Sequence, residues 1–308
     1  FAPLLISVTH ESPEAAFNFL TKETWVLGLQ SGEFGPLSQC IAGIEIALCD
    51  IYGKQKEKPV WELFGGKQES VAIYASGINP TKPELAAKRA IQEGYKALKL
   101  KIGFGRSLDL QNLSTLTEII DSDVRLMVDA NQAWKLDEAC EMLEVLGEYD
   151  LDWLEEPIAS DRPNTEWIAL KKAASIPIAA GENIQGEENF QSIINDDLLD
   201  VVQPDLAKWG GISKTILIGR SVVSSGKRYC PHYLGGGVGL VASAHALAAV
   251  GGDGMLEVDT NTNPLRSQLI GNMLTTGSGK ACLGKLPGLG YEPALSEVKN
   301  YKVLHLSC

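Results

Sequence analysis

The sequence has few of the features that mark membrane, disulfide-rich or nucleic-acid-binding proteins. Its six cysteines are scattered without a C-x-x-C pair, so we expect reduced thiols and no disulfide framework. Its 27 basic residues, against 39 acidic ones, form no basic run, so we expect no nucleic-acid partner. No apolar stretch approaches the roughly 20 residues of a membrane span, and no signal peptide is visible. We therefore expect a cytoplasmic protein with no membrane partner.

The length and composition indicate a globular protein. With 308 residues, the chain can form one βα barrel of roughly 250 residues and a smaller appendage. The net charge of −12 has two explanations, an acidic surface or, in part, an inward cluster of acids that binds a cation. The chain begins with Phe1 and without an initiator methionine, so we expect further residues to precede it.

From about residue 71, short apolar strands alternate with helices of 8 to 14 residues, which predicts a parallel sheet. Eight repeats favour closure into a (β/α)8 TIM barrel of the α/β class. The predicted strands are Val71–Ser76, Ala97–Lys101, Val124–Asp129, Asp152–Glu155, Ile178–Ala180, Leu199–Gln203, Arg228–Pro231 and Met255–Val258. The predicted helices are Pro83–Gln92, Leu108–Ile120, Leu136–Leu146, Asn164–Ala174, Glu187–Ile194, Ile212–Ser225 and Val238–Val250.

Two regions lie outside this repeat. Residues 1–66 contain two predicted helices, Pro13–Lys22 and Leu37–Tyr52, and residues 265–308 end in a predicted strand, Tyr301–Leu306. We expect the two regions to form one small α+β capping domain, packed closely on a catalytic barrel of residues 67–264.

Ionisable residues stand at the carboxyl ends of the predicted strands, 23 to 28 residues apart. They are Lys101, Asp129, Glu155, Glu182, Asp205, His232 and Glu257. Barrel enzymes build their active sites at that end of the strands. We therefore expect these side chains to line one pocket.

The second strand carries two lysines on one face. Lys99 and Lys101 are two residues apart, and side chains alternate between the faces of a strand. Burial among helix-facing apolar residues would be costly, so we expect both at the mouth of the barrel interior. A lysine near another cation has a lowered pKa and can act as a base. The alternative is a pair of solvated lysines at a strand edge.

The next three strands end in carboxylates. Asp129, Glu155 and Glu182 would repel one another unless a cation lies between them. Oxygen ligands favour Mg²⁺ first and Mn²⁺ second, and no nearby histidine or cysteine favours zinc. Asn131 and Asn183 follow two of these residues, and we expect them either to orient the metal ligands or to cap loops.

The sixth and seventh strands end in Asp205 and His232, which neighbouring strands would bring together. A carboxylate bonded to an imidazole fixes its tautomer and raises its pKa, which suits a general acid or base. Glu257, on the eighth strand, is expected to contact the substrate, with a structural ion pair as the alternative. The backbone of Gly235-Gly236-Gly237 would bind an anion or form a flexible turn.

These groups together suit removal of the proton α to a carboxylate. A bound Mg²⁺ and Lys99 would stabilise the resulting enediolate. Loss of a β-hydroxyl assisted by protonated His232 gives dehydration, and reprotonation gives racemisation. Loss of a ring oxygen gives cycloisomerisation.

The motifs in chain order are Lys99-Leu100-Lys101, Val128-Asp129-Ala130-Asn131, Glu155-Glu156-Pro157, Gly181-Glu182-Asn183, Pro204-Asp205-Leu206-Ala207-Lys208-Trp209-Gly210-Gly211, Pro231-His232 and Leu256-Glu257. Over essentially the whole chain this set resembles the mandelate racemase subgroup of the enolase superfamily. The resemblance implies a Mg²⁺-dependent barrel with a capping domain from both termini. It also implies three metal ligands (Asp129, Glu155, Glu182), two catalysts (Lys101 and the Asp205–His232 pair), and Glu257 as a contact to the substrate's carboxylate end.

A related branch, which contains muconate-lactonising enzymes and dipeptide epimerases, has a lysine at the end of the sixth strand. That position lies five residues before Gly210-Gly211 and is Asp205 here. Two-residue alternation from Asp205 turns Lys208 away, so we exclude that branch.

The resemblance implies a sugar-acid dehydratase, acting on an aldonate or aldarate as its small-molecule carboxylate substrate. Residues 231–237 also resemble, more loosely, lactone cycloisomerases. A racemase or epimerase is a further alternative, and a non-catalytic metal-binding barrel is a distant one. The family's specificity loop lies in a region that this chain mostly lacks. We also expect a homo-oligomer.

Overall fold

The computed structural model describes residues 1–270 and 275–302. The chain begins with four helices, α1 (Ala2–Ile6), α2 (Pro13–Ser31), α3 (Phe34–Gln55) and α4 (Val60–Leu63). Eight parallel strands follow, namely β1 (Ser70–Ile78), β2 (Ala97–Lys101), β3 (Arg125–Asp129), β4 (Leu151–Glu155), β5 (Ile178–Ala180), β6 (Val201–Val202), β7 (Arg228–Tyr229) and β8 (Met255–Asp259). The helices between them are α5 (Pro83–Gln92), α6 (Arg106–Ile119), α7 (Leu136–Leu146), α8 (Asn164–Ala173), α9 (Glu187–Asn195), α10 (Gly211–Ser224) and α11 (Gly237–Val250).

The eight strands form a nearly closed barrel, which confirms the predicted fold class. Neighbouring strands from β1 to β7 pair in parallel, and β8 returns to pair with β1. In the described part of the chain no strand ladder joins β7 to β8. The backbone N–H of Met255 instead donates to Sγ of Cys230 at 3.3 Å. The register aligns Lys101 with Asp129 and Asp129 with Glu155, so these three strand ends lie side by side.

The alternation of side chains along each strand separates the two sides of the barrel wall. Leu98, Val128 and Leu154 face outward and belong to the large core between the strands and the helices. The intervening residues face the barrel axis and form a separate small apolar cluster. One face of each strand is therefore reserved for the interior.

The residues outside the repeat pack against the barrel and against each other. The backbone N–H of Trp61 donates to Nδ1 of His245 at 3.1 Å, and the Trp61 indole donates to the carbonyl of Gly284 at 3.0 Å. After β8 come helix α12 (Pro264–Ile270) and a hairpin of β9 (Thr275–Gly277) and β10 (Lys280–Cys282). Strand β10 pairs antiparallel with the start of β1, which the sequence did not indicate. The division at residues 66 and 264 stays a prediction.

Helix α3 is long and apolar enough, by length and composition alone, to cross a membrane. This test is weak, because the core helices of globular proteins also pass it. Helix α3 lies against α2 and α10, and its buried Glu45 accepts the backbone N–H groups of Ile212 and Ser213 at the start of α10. These contacts are typical of a helix packed on a protein core.

The predicted element boundaries differ from the structure mainly at the ends. Helix α2 continues past Lys22 to Ser31, where Gly32 adopts φ 70° and donates its N–H to the Gly28 carbonyl. Such a left-handed glycine is a strong helix stop, whereas residues 23–31 contain no stop signal. Strands β6 and β7 are shorter than predicted, since their last residues leave the ladder to enter the pocket. Tyr301 ends a 3₁₀ turn, and residues 303–306 of the strand predicted there lie outside the described residues.

Candidate active site

Two successive layers of side chains fill the barrel interior. The lower layer takes one residue from each strand or strand end, namely Tyr74, Ala97, Met127, Trp153, Ala179, Val201, Cys230 and Met255. The residues two positions farther along point the same way and form the upper layer, namely Ser76, Lys99, Asp129, Glu155, Gly181, Gln203, His232 and Glu257. The composition changes from apolar to polar within this one step, so the pocket lies at the carboxyl ends of the strands.

Lys99 lies at the centre of the upper layer and is fully buried. Its Nζ is 2.6 Å from Oε1 of Glu155, 2.8 Å from Oε1 of Glu257 and 3.6 Å from Oδ2 of Asp129. Burial opposes its charge, but these carboxylates outweigh burial and raise the pKa of Lys99 well above its usual value. The lowered pKa expected from the two neighbouring lysines is therefore wrong for Lys99.

Lys101 lies above Lys99 at the mouth of the pocket. Its Nζ contacts Oδ2 of Asp129 at 2.5 Å and Oδ1 of Asn131 at 2.8 Å. The other oxygen of Asp129 accepts the backbone N–H of Asn131 at 2.8 Å. Asn131 therefore contacts both residues, and the choice between an orienting and a loop-capping role for it stays a prediction.

His232 lies between carboxylates from three strands. Nδ1 is 2.8 Å from Oδ2 of Asp205, and Nε2 is 2.8 Å from Oε2 of Glu182 and 3.7 Å from Oε2 of Glu257. Burial lowers the pKa of His232, but Glu257, Asp205 and Glu182 together raise it to about 10. Burial likewise opposes the charge of Glu182, yet His232 and Lys208 hold its pKa well below the usual range.

Glu182 reaches this position because Gly181 bends the chain at the end of β5. Gly181 has φ 148°, and a Cβ there would lie 2.6 Å from the backbone of Gln203. Only glycine fits such a close approach. The bend turns Glu182 into the pocket although it stands one residue out of step with the upper layer.

The sequence reasoning missed several residues of this pocket. Glu156 is buried beside Glu182, and the Asn183 side-chain amide donates to both carboxylate oxygens of Glu156, at 2.9 and 3.1 Å. Burial and the charge of Glu182 raise the pKa of Glu156 to about 7. The Glu155-Glu156-Pro157 motif contains this second carboxylate. Because Glu156 directly follows Glu155, strand alternation would ordinarily turn it outward. Glu156 points inward because its backbone is left-handed, with φ 41°.

Gln203 and Trp153 were also missed, and both orient Glu155. The Gln203 amide and the Trp153 indole donate to Oε2 of Glu155 at 2.7 and 3.1 Å. Ser76, at the end of β1, is fully buried, and within the described residues its hydroxyl makes no regular hydrogen bond. Two-residue spacing from Asp205 would have pointed to Gln203, since both lie on one face.

Lys208 does not turn away from the pocket, so the alternation argument was wrong for this residue. Oδ1 of Asp205 accepts the backbone N–H groups of Ala207 and Lys208 at 2.8 and 3.1 Å. These bonds fold the chain into a turn, and strand alternation no longer applies. The Lys208 Nζ lies 3.2 Å from Oε1 of Glu182 and 3.3 Å from Oδ1 of Asn183.

Gly235, the first residue of the glycine segment 235–237, and Gly239 beyond it lie against the Tyr233 side chain. A Cβ on Gly235 or Gly239 would lie 2.6 or 2.3 Å from the Tyr233 side chain. The backbone N–H groups of Gly239 and Gly236 face the Tyr233 phenol, which burial nevertheless leaves with a pKa of about 12. The choice between an anion site and a flexible turn at these glycines stays a prediction.

The donor chemistry of the pocket fits a hard divalent cation. Six carboxylates (Asp129, Glu155, Glu156, Glu182, Asp205, Glu257) face three ammonium groups and one imidazole (Lys99, Lys101, Lys208, His232). With all of them ionised, two negative charges are in excess. Among the described residues, however, no three His, Cys, Asp or Glu side chains converge on one point in metal-binding geometry. Asp129, Glu155 and Glu182 instead contact Lys101, Lys99 and His232.

An eight-stranded βα barrel with one charged pocket at the carboxyl ends of its strands is the architecture of a barrel enzyme. A family model described as "Enolase C-terminal domain-like" matches residues 83–298. A solved mandelate racemase/muconate lactonizing enzyme from Bordetella bronchiseptica RB50 superposes with a TM-score of 0.95 at 48% identity, covering 97% of this chain and 83% of that one. The chain belongs to the enolase superfamily, in its mandelate racemase subgroup.

Two relatives of known activity catalyse different reactions. The D-galactarolactone cycloisomerase of Agrobacterium fabrum is 32% identical, covering 85% of this chain and 73% of that enzyme. The arabinonate dehydratase of Saccharolobus solfataricus is 30% identical, covering 97% of this chain and 81% of that enzyme. This protein is accordingly similar to enzymes that act on sugar acids and their lactones.

Proposed function

We propose that this protein is a Mg²⁺-dependent sugar-acid dehydratase. It removes the proton α to the carboxylate of an aldonate or aldarate and eliminates the β-hydroxyl, giving a 2-keto-3-deoxy acid. One observation carries the proposal. Unbroken contacts run across the pocket from Lys101 through Asp129, Lys99 and Glu257 to His232. An amine and an imidazole thus share one pocket, as two-sided proton transfer requires.

The metal ligands in this proposal are Asp129, Glu155 and Glu182. They are oxygen donors from adjacent strands, so they suit Mg²⁺, with Mn²⁺ as a substitute. When bound, the cation supplies Lewis-acid stabilisation of the substrate carboxylate. Binding requires Lys99, Lys101 and His232 to release carboxylate oxygens that they now contact.

The two lysines take different roles because their exposure differs. The Lys101 side chain is 14% exposed and reaches the mouth of the pocket, so we assign it as the base that takes the α-proton. Lys99 is fully buried and donates hydrogen bonds to the substrate carboxylate, on which negative charge accumulates. The buried Ser76 hydroxyl is a second donor for that carboxylate.

His232 carries the second proton transfer. Its Nδ1 is fixed by Asp205, so Nε2 is the atom that protonates the departing β-hydroxyl, which leaves as water. The enol that remains tautomerises to the 2-keto product, since its β-carbon gains a proton and its C2 hydroxyl loses one. Glu257 holds Lys99 and faces His232, where it contacts the carboxylate end of the substrate.

Lactone cycloisomerisation is the second candidate function. The 32% identical relative catalyses a reaction of that kind, and residues 231–237 resemble that group. The first half-reaction is the same, and the leaving group is a ring oxygen instead of a hydroxyl.

The test is a screen of aldonates, aldarates and their lactones in D₂O with Mg²⁺. Dehydration predicts a 2-keto-3-deoxy acid that has lost one water relative to the acid supplied, measured as the semicarbazone and by NMR and mass spectrometry. Cycloisomerisation also gives a 2-keto acid, because the ring oxygen leaves from the β-carbon, but that product is isomeric with the lactone supplied. An α-deuterated epimer without any 2-keto acid would exclude dehydration in favour of a racemase or epimerase. No proton exchange with any acid would indicate a non-catalytic metal-binding barrel.

A further inference from the structure

Lys208 is a third lysine at the pocket, on the turn after β6 and outside the roles assigned above. Its ammonium group contacts Oε1 of Glu182 and Oδ1 of Asn183, at 3.2 and 3.3 Å. The other oxygen of Glu182 lies 2.8 Å from Nε2 of His232. The Glu182 carboxylate is therefore held at both oxygens by two cationic side chains.

Both of these cations are placed by one residue. Asp205 contacts the His232 imidazole through Oδ2 and the backbone N–H of Lys208 through Oδ1. The turn that Oδ1 stabilises brings the Lys208 side chain back over the end of β5. The orientation of Glu182 is thus tied to the same carboxylate that fixes the catalytic imidazole.

We infer that Lys208 is a positioning residue that holds Glu182 in the orientation required for binding a divalent cation. This inference rests on the proposed function, in which Glu182 is a metal ligand. The Lys208 side chain is 34% exposed, so its ion pair adds little to folding stability. What the contact does is restrict the Glu182 carboxylate. Without it, Oε1 of Glu182 keeps only the Asn183 amide as a hydrogen-bond donor, at 3.2 Å.

Loss of charge and loss of positioning predict opposite changes in cation affinity when Lys208 is replaced. Removal of a positive charge near a cation site should, through charge alone, strengthen cation binding. If Lys208 positions a ligand, its removal should weaken binding about tenfold, as loss of residues that orient metal ligands commonly does. The direction of the change separates the two effects.

The experiment measures Mn²⁺ affinity by electron paramagnetic resonance, without substrate, on the full chain and three variants. Lys208→Met should bind Mn²⁺ about tenfold more weakly than the wild type, and Lys208→Arg should recover most of the loss. The matched control is Lys214→Met, which removes the same charge from a lysine that contacts Glu14 and Glu187. This control should bind normally. Melting temperatures should stay nearly unchanged throughout, and Lys208→Gln replaces the Met variant if that one fails to fold.

Unchanged or tighter Mn²⁺ binding by Lys208→Met would overturn the positioning role and leave the proposed function intact. An equal loss in Lys214→Met would also overturn it, since the effect would then follow charge and not contact. A wild type that binds no Mn²⁺ would refute both the role of Lys208 and the proposed function.

Discussion

Glu45 offers the sharpest test of how the terminal helices are joined to the barrel. Its carboxylate is 1% exposed and accepts the backbone N–H groups of Ile212 at 2.7 Å and Ser213 at 3.1 Å. The Ser213 hydroxyl and Cys49 Sγ also donate to it. These N–H groups begin helix α10, where they have no partner within the helix. Gly211 leaves the space, since a Cβ there would lie 2.2 Å from the carboxylate.

The size of the effect follows from the donors left behind. Glu45→Ala leaves two buried N–H groups unpaired, and each costs about 1–3 kcal/mol. We therefore expect a loss of about 2–6 kcal/mol in the free energy of unfolding. Glu45→Gln keeps one acceptor oxygen but turns an amide donor toward the second N–H. Its loss should be about 1–3 kcal/mol, corresponding to one unpaired donor.

The assay is urea unfolding followed by far-ultraviolet circular dichroism and tryptophan fluorescence. The matched control is Glu14→Ala. It removes an exposed ion-pair partner of Lys214, which lies on helix α10 just after Ile212 and Ser213. An exposed pair of this kind contributes less than about 1 kcal/mol. If Glu45→Ala were no more destabilising than Glu14→Ala, the carboxylate would not be the partner of the α10 amides, and our reasoning would be refuted.

Four further predictions concern the pocket and the acid sensitivity of the fold. Lys101→Met should abolish α-proton exchange in D₂O while the circular dichroism spectrum is unchanged; retained exchange would remove Lys101 from the mechanism. His232→Asn should stop formation of the 2-keto product, measured as the semicarbazone, and wild-type yield would contradict its assigned role. Glu155→Gln should weaken Mg²⁺ binding at least about tenfold by calorimetry, as loss of a metal ligand does; unchanged affinity would exclude Glu155 as a ligand. Burial lowers the pKa of His245 to about 4. As pH falls below about 6.5, His245 is therefore protonated in the unfolded chain but not in the folded one, and up to about 3 kcal/mol of stability is lost by pH 4. His245→Gln should flatten stability between these pH values, and an unchanged pH dependence would count against a buried neutral imidazole.

Part of this protein could be predicted from the sequence because it depends on local periodicity. Strand β2 is one example, since alternation of Leu98 and Leu100 with Lys99 and Lys101 assigns each residue to one side of the barrel wall whatever its partners are. The positions of the pocket residues at strand ends follow from the repeat in the same way. The contact of Asp205 with His232 was predictable too, because neighbouring parallel strands end at the same edge.

The pairing of charges within the pocket could not be predicted in this way. Lys99 contacts Glu257, which lies on the last barrel strand, only because β8 returns to β1. That contact and Glu155 reverse the direction in which the pKa of Lys99 was expected to move. A sequence pattern gives the side of the wall but not the neighbours across the barrel.

The sequence by itself determined the number of barrel strands, the face on which the pocket residues within the strands lie, and the family. Only the tertiary structure decided the inward turn of Glu156 and Lys208, the pairing of β10 with β1, and the hydrogen bonds from the start of α10 to Glu45. The physical reason is the range of the forces involved. Alternation is set by adjacent residues. These features depend instead on left-handed backbone, on side-chain-stabilised turns and on contacts such as that of Glu45 with Ile212, 167 positions apart in the sequence.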